Sequence, residues 1–318
     1  MEKHELKIFA GPGHPVLAQS VADWLQTSLG AMHYTQFADG ENYVRFDESV
    51  RGADVYIVQP TCPPVDTNLV VLLEAIDALS RASAWRITPV IPYYGYARQE
   101  KKDRPREPIT AKLIADIITA AGASRVMCLD LHADAIQGFF NIPVDHLTAI
   151  NLFIDYFAHK MQNGLENVVV VSPDEGRVKK VRKVVQALKA PLAVGYKHHP
   201  DHNITEVTHL AGDVRGKTPV IIEDMITTGG SIIQAVDALL EHGAKPEIYI
   251  AATHGILASN AVERLCARPE IAEIVITDSV PLPAEKFHPK IKVLSVASLF
   301  GEAIHRANND LSITSLFD

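Results

Sequence analysis

The chain has 318 residues, is 47% hydrophobic and carries a formal net charge of −8. That length suggests two domains with sizeable cores, and the acidic balance without a long basic run disfavours a nucleic-acid partner, whose phosphates call for clustered Lys and Arg. Three scattered cysteines, Cys62, Cys128 and Cys266, without CxxC spacing exclude a disulfide framework and a thiolate zinc site.

Short runs rich in Val and Ile alternate with amphipathic stretches along the chain. In order, the pattern predicts a strand over 54–59, a helix over 68–82, a strand over 86–93, a helix over 110–121 and a strand over 126–131. A strand over 168–172, a helix over 178–188 and a strand over 219–224 follow. Next come a helix over 232–242, a strand over 247–252, a helix over 258–266 and a strand over 274–278. Continuous apolar strands separated by helices predict parallel sheets covered on both faces, an α/β class. The first residues are charged rather than apolar, and no apolar stretch reaches the roughly 18 residues that span a bilayer. A soluble cytoplasmic protein is expected.

A repeat runs through the chain. Ala75-Ile76-Asp77-Ala78-Leu79 matches Ala235-Val236-Asp237-Ala238-Leu239, and the same shift carries Gly95 onto Gly255. It predicts two similar α/β domains in tandem, 1–150 and 151–318. Chance similarity between amphipathic helices is the plainer alternative.

The segment after the fifth strand carries chemistry. An apolar run, Val220-Ile221-Ile222, ends in Glu223 and Asp224, and Thr227-Thr228-Gly229-Gly230-Ser231 leads into a helix. Ligands of open α/β sheets bind beyond the carboxyl ends of the strands. The glycines admit backbone N–H groups to an anion, and the helix adds the positive end of its dipole. Two carboxylates suit vicinal sugar hydroxyls. No Gly-Lys-Ser/Thr follows, so this is not a P-loop, and it is not GxGxxG either. The loop resembles the phosphoribosyl-diphosphate motif of type I phosphoribosyltransferases.

Further segments narrow the resemblance. They are Phe37-Ala38-Asp39-Gly40-Glu41, Ser49-Val50-Arg51-Gly52, Pro92-Tyr93-Tyr94-Gly95-Tyr96-Ala97-Arg98-Gln99, Arg106-Glu107-Pro108-Ile109-Thr110, Leu129-Asp130-Leu131-His132, Ser172-Pro173-Asp174 and the ending Ser312-Ile313-Thr314-Ser315-Leu316-Phe317. Colinear over nearly the whole chain, they resemble the ribose-phosphate pyrophosphokinase family. The resemblance implies two tandem type I phosphoribosyltransferase-like domains, each a mainly parallel sheet flanked by helices. It implies transfer of the diphosphoryl group of MgATP to the 1-hydroxyl of ribose 5-phosphate, and dimers that assemble to a homohexamer.

The resemblance also implies residue roles. Phe37, Asp39, Gly40, Glu41, Arg98, Gln99, Asp103 and His132 would serve ATP, with the Asp39-Gly40-Glu41 segment reaching across a subunit interface. Glu223, Asp224, Thr227, Thr228, Gly229, Gly230 and Ser231 would hold ribose 5-phosphate. His132 and Asp174 would help hold Mg²⁺, which takes oxygen ligands and keeps several waters. Lys197 would stabilise the transferring group, assisted by His199. Ser49, Arg51, Ser312 and Thr314 match a regulatory phosphate site.

The chain departs from the family pattern in places. Lys197-His198-His199-Pro200-Asp201-His202-Asn203 stands where the family has a Lys, two arginines and Pro-Arg-Pro-Asn. An imidazole cannot match the permanent, bidentate charge of an Arg. His198, His199 and His202 also fit a transition-metal set, although a mobile polar loop is the preferred reading. Glu223 replaces an Asp, Thr227 replaces an acid, and Glu175 and Arg177 replace small residues. Arg177 brings a cation near the metal and sugar and stands to offset the missing loop Arg. Two other functions are carried alongside: a phosphoribosyltransferase that consumes the diphosphate, and a silent regulatory paralogue.

Overall fold

The computed structural model describes residues 4–201 and 204–316, with the backbone alone for 196–201, 204–209 and 315. The chain forms two compact units. Unit 1 begins with β1 (Leu6–Ala10), α1 (Pro15–Trp24) and a hairpin of β2 (Met32–Gln36) and β3 (Asn42–Phe46). It continues through β4 (Asp54–Val58), α2 (Val65–Arg81), β5 (Arg86–Ile91), α3 (Thr110–Ala121), β6 (Val126–Leu129) and β7 (Val144–Leu147). The sheet order is β1-β4-β5-β6-β7, all parallel, and β2 with β3 forms a separate antiparallel pair.

Unit 2 begins with α4 (Ile150–Gln162), β8 (Val168–Ser172) and α5 (Val178–Leu188), followed by a hairpin of β9 (Leu192–Asp201) and β10 (Ile204–Ala211). Then come β11 (Thr218–Ile226), α6 (Gly230–Glu241), β12 (Ile248–Gly255), α7 (Ala261–Cys266), β13 (Ile271–Thr277) and β14 (Ile291–Leu294). Its sheet order is β10-β9-β8-β11-β12-β13-β14, with only β10 antiparallel to its neighbour.

These strands form because they have no polar face to show. Every residue of β4, β6 and β8 is buried, and β-branched residues suit a pleat covered on both sides. The helices cover them with one apolar stripe each. Helix α2 sets Leu69, Leu72, Ala75, Ile76 and Leu79 into the unit 1 core, and α6 sets Ile232, Ala235, Val236 and Leu239 into the unit 2 core. The repeated residues therefore hold equivalent places, since α2 links β4 to β5 and α6 links β11 to β12. Each unit also places a hairpin after the helix that follows its first strand, β2–β3 after α1 and β9–β10 after α5.

Three differences from the sequence reading bear on the site and on the units. First, β11 runs two residues past Asp224, because Met225 and Ile226 pair with His254 and Gly255 of β12. Second, Lys197 and its neighbours lie in β9, opposite Val207 of β10 at Lys197, rather than in an irregular loop. Third, residues from Ser295 onward, including α8 (Ala297–Asn308), join unit 1 and not the second half of the chain, as do Ser279–Pro281. The physical reason is packing. Helix α8 lies on α1, with Gly301 so close to Trp24 that a Cβ there would stand 2.4 Å from the indole. Arg86 Nη2 donates to the Ala307 carbonyl at 2.9 Å, and Asn308 Nδ2 donates to Asp54 Oδ2 at 2.9 Å. No described helix is long and apolar enough to cross a membrane.

Candidate functional site

In unit 1, the segment after β5 folds back on the segment after β4. Thr61 holds it: its Oγ1 donates to the Tyr93 carbonyl at 3.1 Å and accepts from the Gly95 N–H at 2.6 Å. Gly95 is required there, since a Cβ would stand 2.5 Å from the Thr61 carbonyl. The fold-back opens a hollow of about 450 Å³ lined by Asp66, Tyr93, Tyr96, Arg98 and Gln99. Tyr96, at φ +63°, donates its hydroxyl to Asp66. Arg98 and Gln99 are exposed, and Gln99 Oε1 accepts from Thr110 Oγ1 at 2.6 Å, which ties the hollow to the start of α3. Asp103 sits on the exposed stretch beyond, 3.8 Å from Lys101.

The Phe37 segment is the tip of the β2–β3 hairpin. Phe37 N–H donates to the Glu41 carbonyl at 2.8 Å and Gly40 N–H to the Phe37 carbonyl at 2.9 Å, with Gly40 at φ +95°. Asp39 Oδ1 accepts from the Glu41 N–H at 3.2 Å, so this carboxylate shapes its own turn. Phe37 is 51% exposed, an unusual place for a large ring. Among the described residues no hydrogen bond or ion pair joins the tip to the Arg98 hollow. Below the hairpin, burial and then the charge of Glu41 raise the Glu74 carboxyl above its ordinary range.

His132 is half-buried on the bend after β6. The bend is fixed by two residues the sequence reading did not single out, His146 and Thr148. Leu131 N–H donates to His146 Nε2 at 2.9 Å, and Thr148 Oγ1 donates to Asp130 Oδ1 at 2.9 Å. These contacts cross 15 to 18 residues, a span at which no local pattern signals them. Ser49 and Arg51 are exposed just before β4, and Ser312 and Thr314 are exposed in the tail. Ser312 Oγ donates to Thr314 Oγ1 at 3.1 Å. Among the described residues no hydrogen bond links the two pairs.

In unit 2, Glu223 and Asp224 lie buried near the end of β11, at 9% and 4% exposure. Asp174 follows β8, the neighbouring strand. Arg177, the last residue of a short 3-10 turn (Glu175–Arg177), closes on all three. Its Nε lies 2.9 Å from Glu223 Oε2 and 3.6 Å from Asp174 Oδ2, and its Nη2 lies 2.8 Å from Asp224 Oδ1. Burial works against the charged guanidinium, but the three carboxylates outweigh it and hold the group above its ordinary value. Arg177 was visible in the sequence as a departure; its threefold contact was not.

Beyond the acids, Thr227 is half-buried and Thr228 exposed. Gly229 starts α6 at φ +75°, and a Cβ there would press on Leu265 at 3.0 Å. Gly230 and Ser231 form the first turn of α6, whose N–H groups have no acceptor within a helix. The turn is braced from α7: Arg264 Nη1 donates to the Thr228 carbonyl at 3.3 Å, and Ala258 N–H donates to the Thr227 carbonyl at 2.8 Å. The structure thus gathers Asp174, Glu223 and Asp224 about Arg177, beside a glycine-started helix suited to an anion.

The side chains of Lys197, His198 and His199, and all of His202, lie outside the described residues, and so does the transition-metal reading of that segment. Among the described residues, no group of three or more His, Cys, Asp or Glu is arranged to hold a metal ion.

Comparison with known proteins follows from these features. Residues 6–122 match the N-terminal domain of ribose phosphate pyrophosphokinase, and residues 172–318 match the phosphoribosyl synthetase-associated domain. A ribose-phosphate pyrophosphokinase of Caldanaerobacter subterraneus subsp. tengcongensis is 52% identical over 314 residues, covering 99% of this chain and 98% of the relative. One of Bacillus subtilis is 48% identical over 312 residues, covering 98% and 97%. The crystal structure of a phosphoribosylpyrophosphate synthetase from Mycobacterium smegmatis is similar with a TM-score of 0.89 at 43% identity, covering 96% of this chain and 99% of that one.

Proposed function

We propose the reaction from one premise: the chain belongs to the ribose-phosphate pyrophosphokinase family. It transfers the diphosphoryl group of ATP to the 1-hydroxyl of ribose 5-phosphate, giving 5-phosphoribosyl 1-diphosphate and AMP. The sugar oxygen bonds to the β-phosphorus, and the bond from that phosphorus to the α–β bridging oxygen breaks. Relatives of about half identity across the full chain bear the name ribose-phosphate pyrophosphokinase, which disfavours both a phosphoribosyltransferase and a silent paralogue.

The observation that carries the sugar end is the run from two buried carboxylates into a glycine-started helix. Glu223 and Asp224 accept hydrogen bonds from ribose hydroxyls. Thr227, Thr228 and the N–H groups of Gly229, Gly230 and Ser231 surround the 5-phosphate. In unit 1, Arg98 and Gln99 serve the polyphosphate, with Asp103 nearby. His132 lines the nucleotide side. Phe37 lies against adenine, and Asp39, Gly40 and Glu41 accompany it from a neighbouring copy. The exposed ring at a hairpin tip fits that sharing. Lys197, with His199, stabilises the transferring group by fixed charge.

Mg²⁺ fits the donors offered. Few protein ligands converge, and Asp174 supplies a partly exposed carboxylate, which suits an ion that takes most of its ligands from phosphates and water. Asp174 and His132 would hold it, and it would neutralise polyphosphate charge. Ser49, Arg51, Ser312 and Thr314 form a regulatory phosphate site, and the enzyme works as a cytoplasmic homo-oligomer of dimers assembling to a hexamer. The two halves of the chain are duplicated phosphoribosyltransferase-like domains.

The test is AMP release by purified protein given ATP, Mg²⁺ and ribose 5-phosphate. Lys197→Ala should lower kcat by about 100-fold or more while ATP affinity stays within about threefold, because the charge acts on the transition state. Equal losses in both would remove that role, and AMP formed without ribose 5-phosphate would remove the reaction.

A further inference from the structure

The β2–β3 hairpin has two faces of different character. Met32, Tyr34 and Gln36 stand opposite Phe46, Val44 and Asn42 on one face, where Met32, Val44 and Phe46 pack against the unit 1 core. Tyr34 Oη donates to Asn42 Oδ1 at 3.2 Å on that face, and Gln36 Nε2 donates to the Gly40 carbonyl at 3.1 Å. The other face carries His33, Thr35, Tyr43 and Arg45, and Phe37 follows at the tip. His33 is exposed, Tyr43 is 39% exposed and Phe37 is 51% exposed. A run of open rings on one strand face, unlike a lone one, marks a place where something is held.

The three rings touch in series. Tyr43 stands directly opposite Thr35, so His33 and Phe37 are its diagonal neighbours on the facing strand, a spacing that aromatic side chains still bridge. The Tyr43 ring centroid lies 5.9 Å from that of Phe37, with the planes at 48°, and 6.2 Å from that of His33, with the planes at 65°. Both separations fall within the roughly 4.5–7 Å at which aromatic pairs attract. The turn itself is set by backbone, through the Phe37–Glu41 hydrogen bond and Gly40 at φ +95°. It fixes where the Phe37 side chain starts, but not its rotamer, and water selects none of the staggered wells. The Tyr43 ring, carried within β3, favours the well in which the two rings meet.

We propose that Tyr43 is a positioning residue of the nucleotide site: it holds the Phe37 ring in the orientation on which a purine base stacks, and His33 backs Tyr43 in turn. This role rests on the assignment of Phe37 to adenine. A ring set before the nucleotide arrives lowers the ordering cost of binding, so the effect belongs to ATP affinity and not to the chemical step.

Steady-state kinetics of the full chain test it, with AMP release followed against ATP and against ribose 5-phosphate. Tyr43→Thr keeps a residue that favours a strand but removes the ring. It should raise KM for ATP by about three- to tenfold, the size of a lost ring pair, with kcat and KM for ribose 5-phosphate within about twofold of wild type. Tyr43→Leu should behave in the same way, and it decides the matter if Tyr43→Thr does not fold. Tyr43→Phe keeps the ring and should stay within about twofold in all three constants. Phe37→Ala should raise KM for ATP by about tenfold or more. Adding Tyr43→Thr to Phe37→Ala should change KM by no more than about twofold, because a residue that acts through Phe37 has nothing to act on once that ring is gone. Unchanged KM for ATP in Tyr43→Thr and Tyr43→Leu would overturn the proposal, as would Tyr43→Phe losing as much as Tyr43→Thr, or a double variant weaker than Phe37→Ala by the full factor. A fall in kcat with a rise in both KM values would overturn it too, since that marks a disrupted hairpin or assembly. Phe37→Ala with the wild-type KM for ATP would remove the assignment of Phe37 to adenine, and the role of Tyr43 with it; that result is distinct from a Phe37 effect in which Tyr43 has no part.

Discussion

Cys62 sits beside Thr61, under the segment that frames the Arg98 hollow. It is 1% exposed, and burial pushes its thiol up to about 11 from an ordinary value of 9.0. Asn68 Nδ2 donates to its carbonyl at 2.8 Å, and Gln59 Nε2 donates to Asn68 Oδ1 at 3.1 Å. Folding therefore favours the neutral thiol. The resulting stability is fully present below pH 9 and is lost as pH rises through about 11, a change on the order of 2 kcal/mol. Urea unfolding of wild type and Cys62→Ala across that window checks it: wild type should lose stability relative to the variant only above pH 9. A constant difference would contradict the buried-thiol account. At this scale the residue types of the site were legible, because the acids, glycines and Arg98 stand in local runs. Their partners were not. Thr61 meets Gly95 from 34 residues away, and Arg264 meets Thr228 from 36.

At the scale of elements, α3 and α5 begin and end where the sequence pattern puts them, at Thr110–Ala121 and Val178–Leu188. Each has a clear apolar stripe, and Gly122, at φ +119°, stops α3. The sequence reading did not include β1, α1, the β2–β3 hairpin, β7, α4, the β9–β10 hairpin, β14 or α8. Strands β2 and β3 have no fully buried residue, and β14 has just four residues, so their patterns are weak until neighbours are in place. The loop into α6 supplies a prediction. Gly229 is left-handed and pressed against Leu265. Gly229→Ala should lower unfolding free energy by roughly 1–2 kcal/mol and also weaken ribose 5-phosphate binding, because the first-turn N–H groups would shift. Denaturant melts and calorimetry together check this; a stability loss with unchanged sugar-phosphate affinity would separate the turn from the site.

At the scale of the molecule, the chain crosses between its units more than once. Helix α4 follows the last strand of unit 1 but packs on α5 in unit 2, and α8 follows the last strand of unit 2 but packs on α1 in unit 1. The two helices share a Leu-Phe pair, Leu152-Phe153 and Leu299-Phe300, with both phenylalanines buried. Unit 1 also depends on α8 for the Asp54 network. Asp54 is fully buried, takes Arg86 Nη2 at 2.5 Å and accepts from Asn308. Gly301→Val would force side-chain atoms into Trp24 and should cost about 1–3 kcal/mol. Hydrogen exchange should then show lost protection in α1 and α8, with β8, β11 and β12 of unit 2 protected as before. Equal loss in both units would mean that they unfold as one.

The sequence by itself determined the α/β class and the chemical character of the loops, because periodicity and local runs carry those properties. Buried strands must be apolar throughout, and a phosphate loop must combine glycine with hydroxyls. Only the tertiary structure decided that α8 belongs with the first unit, that β11 extends beyond its acids, and that Arg177 sits among Asp174, Glu223 and Asp224. Those outcomes depend on contacts between residues distant along the chain, where charge pairing and close packing, not local pattern, select the partner.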